Sequence, residues 1–418
     1  MFAYFAIYAT IAVINYFEKR DLLMQYNFDE VIDRAGTYSI KYDVVPPNAA
    51  KDLLPMWIAD MDFPCAQPII DALHNRIDHR IFGYSNYFFP DAKQPVIDWF
   101  QRRFGWNIDM NDIVYSPGVV PAISFLLHIL TVPGDGVIVQ QPVYYPFANM
   151  IAARGCTVVN NQLRYENGAY TMDYADLEAK MADPANKGMI LCSPHNPVGR
   201  VWTEEELKQV VAIAQKHDKW IISDEIHCDL IRTGYTHTPL LKLCPEYKHR
   251  IIACTAPSKT FNMAGMQMSN IIIPNEEYRQ KWFGYTMGEL SISSPSPFGI
   301  VAMHAAYNEG EDWLNQVNAY LDENVAFMKA YLAEHLPEAH MAESQGTYLV
   351  WVDVNAYCSD AKELERLMLE EAGVYFDEGY IFGPGGSGFE RFNIACPRSI
   401  LEKSLERMST VLKKYAGK

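Results

Sequence analysis

Six short apolar runs recur between residues 136 and 274: "GVIVQ" (136–140), "CTVVN" (156–160), "GMILCS" (188–193), "KWIISDE" (219–225), "RIIACT" (250–255) and "NIIIP" (270–274). Each run is continuous rather than alternating, and each is bounded like a buried strand. Continuous apolar strands need cover on both faces, as in a parallel sheet between helices. The intervening sequence supplies such cover. "TEEELKQVVAIAQKH" (203–217) is amphipathic, with Thr203 placed to cap it and Glu206 to close a capping box. Strand and helix in alternation imply an α/β fold with a mostly parallel sheet.

After residue 310 the pattern changes. A long helix ("EDWLNQVNAYLDENVAFMKAYLAEHL"), strands at "TYLVWVDV" and "FERFNIA", and a last helix from Ile400 describe a smaller α+β unit. No repeat, low-complexity tract or long linker separates the parts, so two intimately packed domains are expected. Residues 76–310 form the large one, and residues 24–75 join 311–418 in the small one.

The net charge of −16 disfavours nucleic acid and anionic membranes as partners. The eight cysteines (65, 156, 192, 228, 244, 254, 358, 396) form no C-x-x-C pair, which reads as reduced thiols in a cytoplasmic protein. No zinc-type spacing appears among the cysteines and the 11 histidines, so no metal site is expected. The opening stretch "MFAYFAIYATIAVINYF" carries no charge but is short for a membrane span and lacks a basic signal-peptide start. Domain-like sequence begins at Met24. Residues 1–23 are therefore expected to be an extension outside the core fold, with a membrane anchor as the lesser alternative.

In α/β sheets, ligands gather at the carboxyl ends of the strands. Lys259, in "APSKTFNMAG", follows the run "IIACT"; Asp224 follows "WIIS", and Asn196 follows "MILC" in "SPHNPVG". Gly118 precedes a helix with Pro121 in its first turn, as at anion-binding helix starts. Singly, these could be a helix cap, a turn and a plain loop. Together they describe a site for a phosphorylated, nitrogen-containing aromatic aldehyde, and pyridoxal phosphate fits.

The motifs "HNPVGR", "SDEIHCDL" and "SKTFNMAGMQMSN", in that order, resemble the fold-type I pyridoxal-phosphate enzymes of the aminotransferase class I/II superfamily, over nearly all of residues 25–418. "FDEVIDRAGTYSIKYD", "LPMWIADMDFP" and "FGYSNY" resemble the narrower MalY/PatB group of carbon–sulfur lyases, cystathionine β-lyase-like. The resemblance implies an aspartate-aminotransferase-like fold and a set of roles. Lys259 would bond to the cofactor aldehyde and shuttle protons at the substrate Cα. Asp224 would pair with the pyridine nitrogen, Asn196 with the ring O3′ and the substrate, and Tyr144 would stack on the ring. The N–H groups of Val119 and Val120, with Ser258, would hold the phosphate, joined by Tyr84 from the neighbouring subunit of a homodimer. Arg398 would clamp the substrate α-carboxylate.

Departures from the wider superfamily are Ala256 and Gln267, where many aminotransferases have a hydroxyl residue and an arginine on the phosphate. His227, counted among the cofactor-binding residues, stands where many have tyrosine. The glycine run "FGPGGSGFERFN" precedes a strand, so a flexible loop near the substrate entrance is expected rather than a phosphate cradle.

The implied activity is α,β-elimination of cystathionine or another cysteine thioether to pyruvate, ammonia and a thiol. Transamination of an L-amino acid would use the same residues, and only the N-terminal motifs favour the lyase. A non-enzymatic, ligand-sensing domain is disfavoured by the acidic charge and the intact lysine set.

Overall fold

The computed structural model describes residues 24–166 and 168–415. The expectation for residues 1–23 falls outside them.

Seven strands form the main sheet: β1 (Ile113–Ser116), β2 (Gly136–Val139), β3 (Thr157–Asn160), β4 (Asn186–Cys192), β5 (Trp220–Asp224), β6 (Ile251–Thr255) and β7 (Ser269–Ile272). Their spatial order is β1-β7-β6-β5-β4-β2-β3, and all are parallel except β7, which runs antiparallel to both neighbours. All six apolar runs of the sequence lie in this sheet. The strand "IVYS" (β1) lies outside those runs.

Period two governs the packing. Met189, Leu191, Ile221 and Ala253 face one apolar core, while Ile190, Ile222, Ile252 and Cys254 face another. Side chains alternate across a strand, so both faces must be covered, and helices do so. Helix α1 (Val119–Leu130) covers the second face, and helix α2 (Glu204–Lys216) belongs to the first. The capping box of Thr203 and Glu206 is present at the start of α2. Gly188 is required in β4, because a Cβ there would lie 2.2 Å from the Trp220 ring.

A second, antiparallel sheet has the order β8-β9-β11-β10, from β8 (His340–Met341), β9 (Leu349–Asp353), β10 (Asp377–Glu378) and β11 (Phe389–Asn393). Helices α3 (Glu311–His335) and α4 (Arg398–Tyr415) contribute Leu321, Met328, Leu405 and Met408 to its core. That core is continuous with one face of the main sheet, so the two parts share their apolar interior. Leu54–Pro55 pairs in parallel with Val374–Tyr375 and ties the early chain to the late chain. The helix Gln67–Asp78 packs instead on Pro297–Glu309. Among the described residues, no helix is long and apolar enough to cross a membrane, no group of His, Cys, Asp or Glu could hold a metal, and all eight cysteines are free.

Candidate active site

Six strand ends open on one cleft. Its lining includes Gly118, Val119 and Val120 after β1, Tyr144 after β2, Cys192 and Asn196 at and after β4, and Asp224, Ile226 and His227 at and after β5. Ser258 and Lys259 follow β6, and Met268 and Ser269 come where β7 begins. Because β7 runs in reverse, its amino end meets the carboxyl ends of the others, which are the ligand-binding edge of a parallel sheet. Ala59 closes the cleft from the early chain.

Lys259 sits on a short helix, Pro257–Thr260, directly after β6. Its Nζ donates to the Ala59 carbonyl, which also accepts from Tyr348 Oη at 2.9 Å. Burial pushes the amine down to about 8; Arg391 works in the same direction, whereas Asp60 and Asp224 oppose it. Burial likewise pushes Asp224 up to about 7, against its hydrogen bond from the Ile226 N–H at 3.1 Å and the charge of Lys259. A cation displaced downwards and a carboxyl displaced upwards both become cheap to neutralise near pH 7. His227 is pushed down to about 3, chiefly by burial, so its imidazole is neutral. Burial raises the Tyr144 phenol, whose ring meets Phe147 edge-on.

The donor set fits pyridoxal phosphate. The first N–H groups of a helix have no intrahelical acceptor. In α1, Pro121 has no N–H and Ala122 bonds to Gly118, which leaves those of Val119 and Val120 open toward the cleft. Anions bind at such ends. The Ser269 hydroxyl and His227 Nδ1 are buried yet have no hydrogen-bond partner among the described residues. Orphaned buried polar atoms are rare, and a polar ligand would satisfy them. Asp224, raised to about 7 by burial, would be matched by a cationic ring nitrogen.

Lys259, Asp224, Asn196, Tyr144, His227, Val119, Val120 and Ser258 are thus brought together as the sequence suggests. Tyr84 does not line this cleft; it is fully exposed at the protomer surface. Arg398 requires a correction. It opens α4, where its Nε donates to Asn324 Oδ1 at 2.7 Å and its guanidinium lies 4.6 Å from the Phe327 ring centroid.

The arginine that bonds to a lining residue of the cleft is Arg391, earlier in the same stretch. It is 1% exposed, donates to Asn196 Oδ1 at 3.1 Å and to the Trp57 carbonyl at 2.8 Å, and pairs with Asp377. Its Nε has no partner among the described residues. A signal was available in the sequence. An arginine inside an apolar strand costs desolvation unless something uses it, as Lys259 does after β6. Tyr348, Asp377 and the Ala59 carbonyl carried no such signal. The glycine run 383–388 is not a loose loop: a Cβ on Gly383 would lie 2.1 Å from Gln141 Nε2, and one on Gly386 would lie 2.0 Å from the Gly379 carbonyl.

The model of the family aminotransferase class I and II matches residues 51–408. Cystathionine beta-lyase PatB of Bacillus subtilis is 40% identical over 389 residues, 92% of this chain and 100% of that protein. Protein MalY of Escherichia coli is 34% identical, covering 91% of this chain and 97% of that one. The crystal structure of cystalysin from Treponema denticola, which contains a pyridoxal 5′-phosphate cofactor, is similar with a TM-score of 0.90 and 38% identity, over 94% of this chain and 100% of that chain.

Proposed function

The chain belongs to the aminotransferase class I and II family, and from that footing we propose that it is a pyridoxal-phosphate-dependent carbon–sulfur lyase. Of cystathionine β-lyase type, it would release pyruvate, ammonia and a thiol from cystathionine or a related cysteine thioether. What carries this is one buried cleft holding an amine displaced down to about 8 beside a carboxyl displaced up to about 7. Groups tuned in this way suit proton transfer at neutral pH.

When bound, pyridoxal phosphate supplies an aldehyde that joins to amines and a ring that draws electron density from Cα. Every other task falls to the protein. Lys259 Nζ would hold the cofactor in the resting enzyme and, once freed, would take the substrate's Cα proton. The pair left at Cα would form the Cα=Cβ bond as the Cβ–S bond breaks and thiolate departs with its electrons, and one water would hydrolyse the released enamine to pyruvate and ammonia. Asp224 would pair with the ring nitrogen and keep it protonated, Asn196 and neutral His227 would serve the ring oxygen, and Tyr144 would hold the ring. The N–H groups of Val119 and Val120 with the hydroxyls of Ser258 and Ser269 would hold the phosphate. Arg391 receives the substrate α-carboxylate: its guanidinium is already desolvated beside Asn196, and charge-assisted bonds to carboxylates are strong.

The enzyme acts as a homodimer in the cytoplasm. Tyr84, fully exposed among the exposed residues Ile81, Phe82, Phe88 and Phe89, reaches the phosphate of the partner's site. Eight unpaired thiols suit a reducing compartment. Residues 76–310, with the helix Gln67–Asp78 packed on their side, carry the cofactor, and the rest of the unit formed by 24–75 with 311–418 closes over it.

Incubation with cystathionine in the absence of any keto acid tests the proposal. Pyruvate should accumulate. Amino transfer that requires an added keto acid, without pyruvate release, would establish transamination instead.

A further inference from the structure

Residues 57–61 belong to no strand or helix, yet successive carbonyls from 57 onward are in use. Trp57 O accepts from Arg391, Ile58 O and Asp60 O from Asn393 Nδ2 (2.7 and 2.6 Å), and Ala59 O from Lys259 and Tyr348. Met61 O accepts from Asn262 Nδ2 at 2.9 Å, as does Phe63 O at 3.0 Å. Buried backbone outside a ladder needs such partners. Here the partners include the two cations of the cleft, so the position of this segment decides where Lys259 and Arg391 sit.

Four charges hold the segment from behind. Lys41 Nζ meets Asp62 Oδ2 at 2.7 Å, and Arg34 Nη1 meets Asp62 Oδ1 at 2.7 Å. Arg34 also grips both oxygens of Asp60, at 3.1 and 2.8 Å. The Lys41 side chain is fully buried and that of Asp62 nearly so. A buried pair of this kind is a poor route to stability, since apolar side chains of similar volume often do as well or better. Its use is geometric. Arg34 and Lys41 come from "FDEVIDRAGTYSIKYD" and the two aspartates from "LPMWIADMDFP", so the cluster joins these two stretches in space.

We propose that Arg34 and Lys41 are positioning residues for the reaction: through Asp60 and Asp62 they fix the 57–63 backbone, and with it the acceptor and the charge that Lys259 meets. The proposal rests on Lys259 being the cofactor-bearing amine. The charged and titratable groups around that amine are Asp224, Arg391, His227, Tyr348 and Asp60, with Arg34 and Lys41 behind Asp60. Asp60 favours the ammonium form, and its neutralisation by Arg34 limits that influence.

The test strips the full-length chain of cofactor and reloads it with pyridoxal phosphate across a pH series. The rate of forming a borohydride-fixable adduct reports the pH at which the amine becomes free. Asp60→Asn keeps an oxygen for Arg34 but deletes the anion, so the midpoint should fall by about half a pH unit, roughly a threefold change in free amine. Arg34→Gln exposes the Asp60 charge and should raise the midpoint by a similar amount, with Lys41→Met moving the same way. Opposite shifts are the signature, because general loosening of the fold moves all variants together. Asp60 is a quarter exposed, so its variant keeps the test open should Arg34→Gln fail to fold. An Asp60→Asn midpoint that is unmoved, or that rises, overturns the positioning role. A wild-type adduct on another lysine would overturn the reading of Lys259 itself.

Discussion

Asp224→Asn should stabilise the cofactor-free protein while weakening the loaded one. The carboxyl is pushed up to about 7 from its ordinary 3.8, mainly by burial. Between those values the folded chain binds more protons than the unfolded chain, so stability falls as pH rises through the window. Three pKa units amount to about 4 kcal/mol, the cost of keeping the anion buried at pH 8 with no cofactor cation beside it. Asparagine does not titrate and can still accept from the Ile226 N–H, but its own unpartnered N–H group costs about 1–3 kcal/mol. The variant should therefore gain about 1–3 kcal/mol at pH 8 in the cofactor-free state. That advantage should shrink by about 2 kcal/mol at pH 5.5, where the wild-type carboxyl is largely protonated. With cofactor the order should reverse, because only a carboxylate pairs with a cationic ring nitrogen. Urea midpoints at the two pH values, with and without cofactor, check each step. A cofactor-free variant less stable than wild type at pH 8, or a pH-independent difference, would refute the reasoning.

Arg391→Lys should raise KM for the amino acid by about 10–100-fold, the worth of one hydrogen bond to a charged group at about 1.5–3 kcal/mol. Arg398→Ala should leave KM within about twofold, since its partners are Asn324 and Phe327. Steady-state kinetics on the two variants separates them. Mixed dimers of Tyr84→Phe and Lys259→Ala chains should retain about half the parent activity, because a two-fold interface gathers both defects in one site; activity well below half would place Tyr84 in its own chain's site. Thr203→Ala should lower stability by about 1 kcal/mol through loss of the capping box, with turnover unchanged, as read from urea midpoints and pyruvate release.

Much of the fold was legible because its rule is local. Continuous Val- and Ile-rich runs separated by amphipathic stretches favour strands buried on both faces, and all six such runs lie in the main sheet, five of them parallel and β7 reversed. The strand "IVYS" was missed because a four-residue run ending in polar residues resembles the approach to a loop. The reversal of β7 could not be read either, since burial on both faces looks the same in either direction. Lys259, Asp224 and Asn196 were legible because polar groups at apolar strand ends stand out. Arg391 and Arg398 share one stretch, and side-chain direction, which spacing does not encode, sends only the first toward Asn196. Tyr348 and the 57–63 carbonyls act through distant partners that no local pattern reveals.

The bracket of residues 57–63 has a consequence for biosynthesis. Trp57 and Ile58 leave the ribosome early, whereas the donors to their carbonyls, Arg391 and Asn393, emerge near the end. At about 5–20 residues per second the wait is on the order of tens of seconds. Throughout that interval Lys259 is made without the completed wall that receives it. A cofactor-ready site is therefore expected only after β11 has been made, and a chain broken before β11 lacks the donors that complete the bracket.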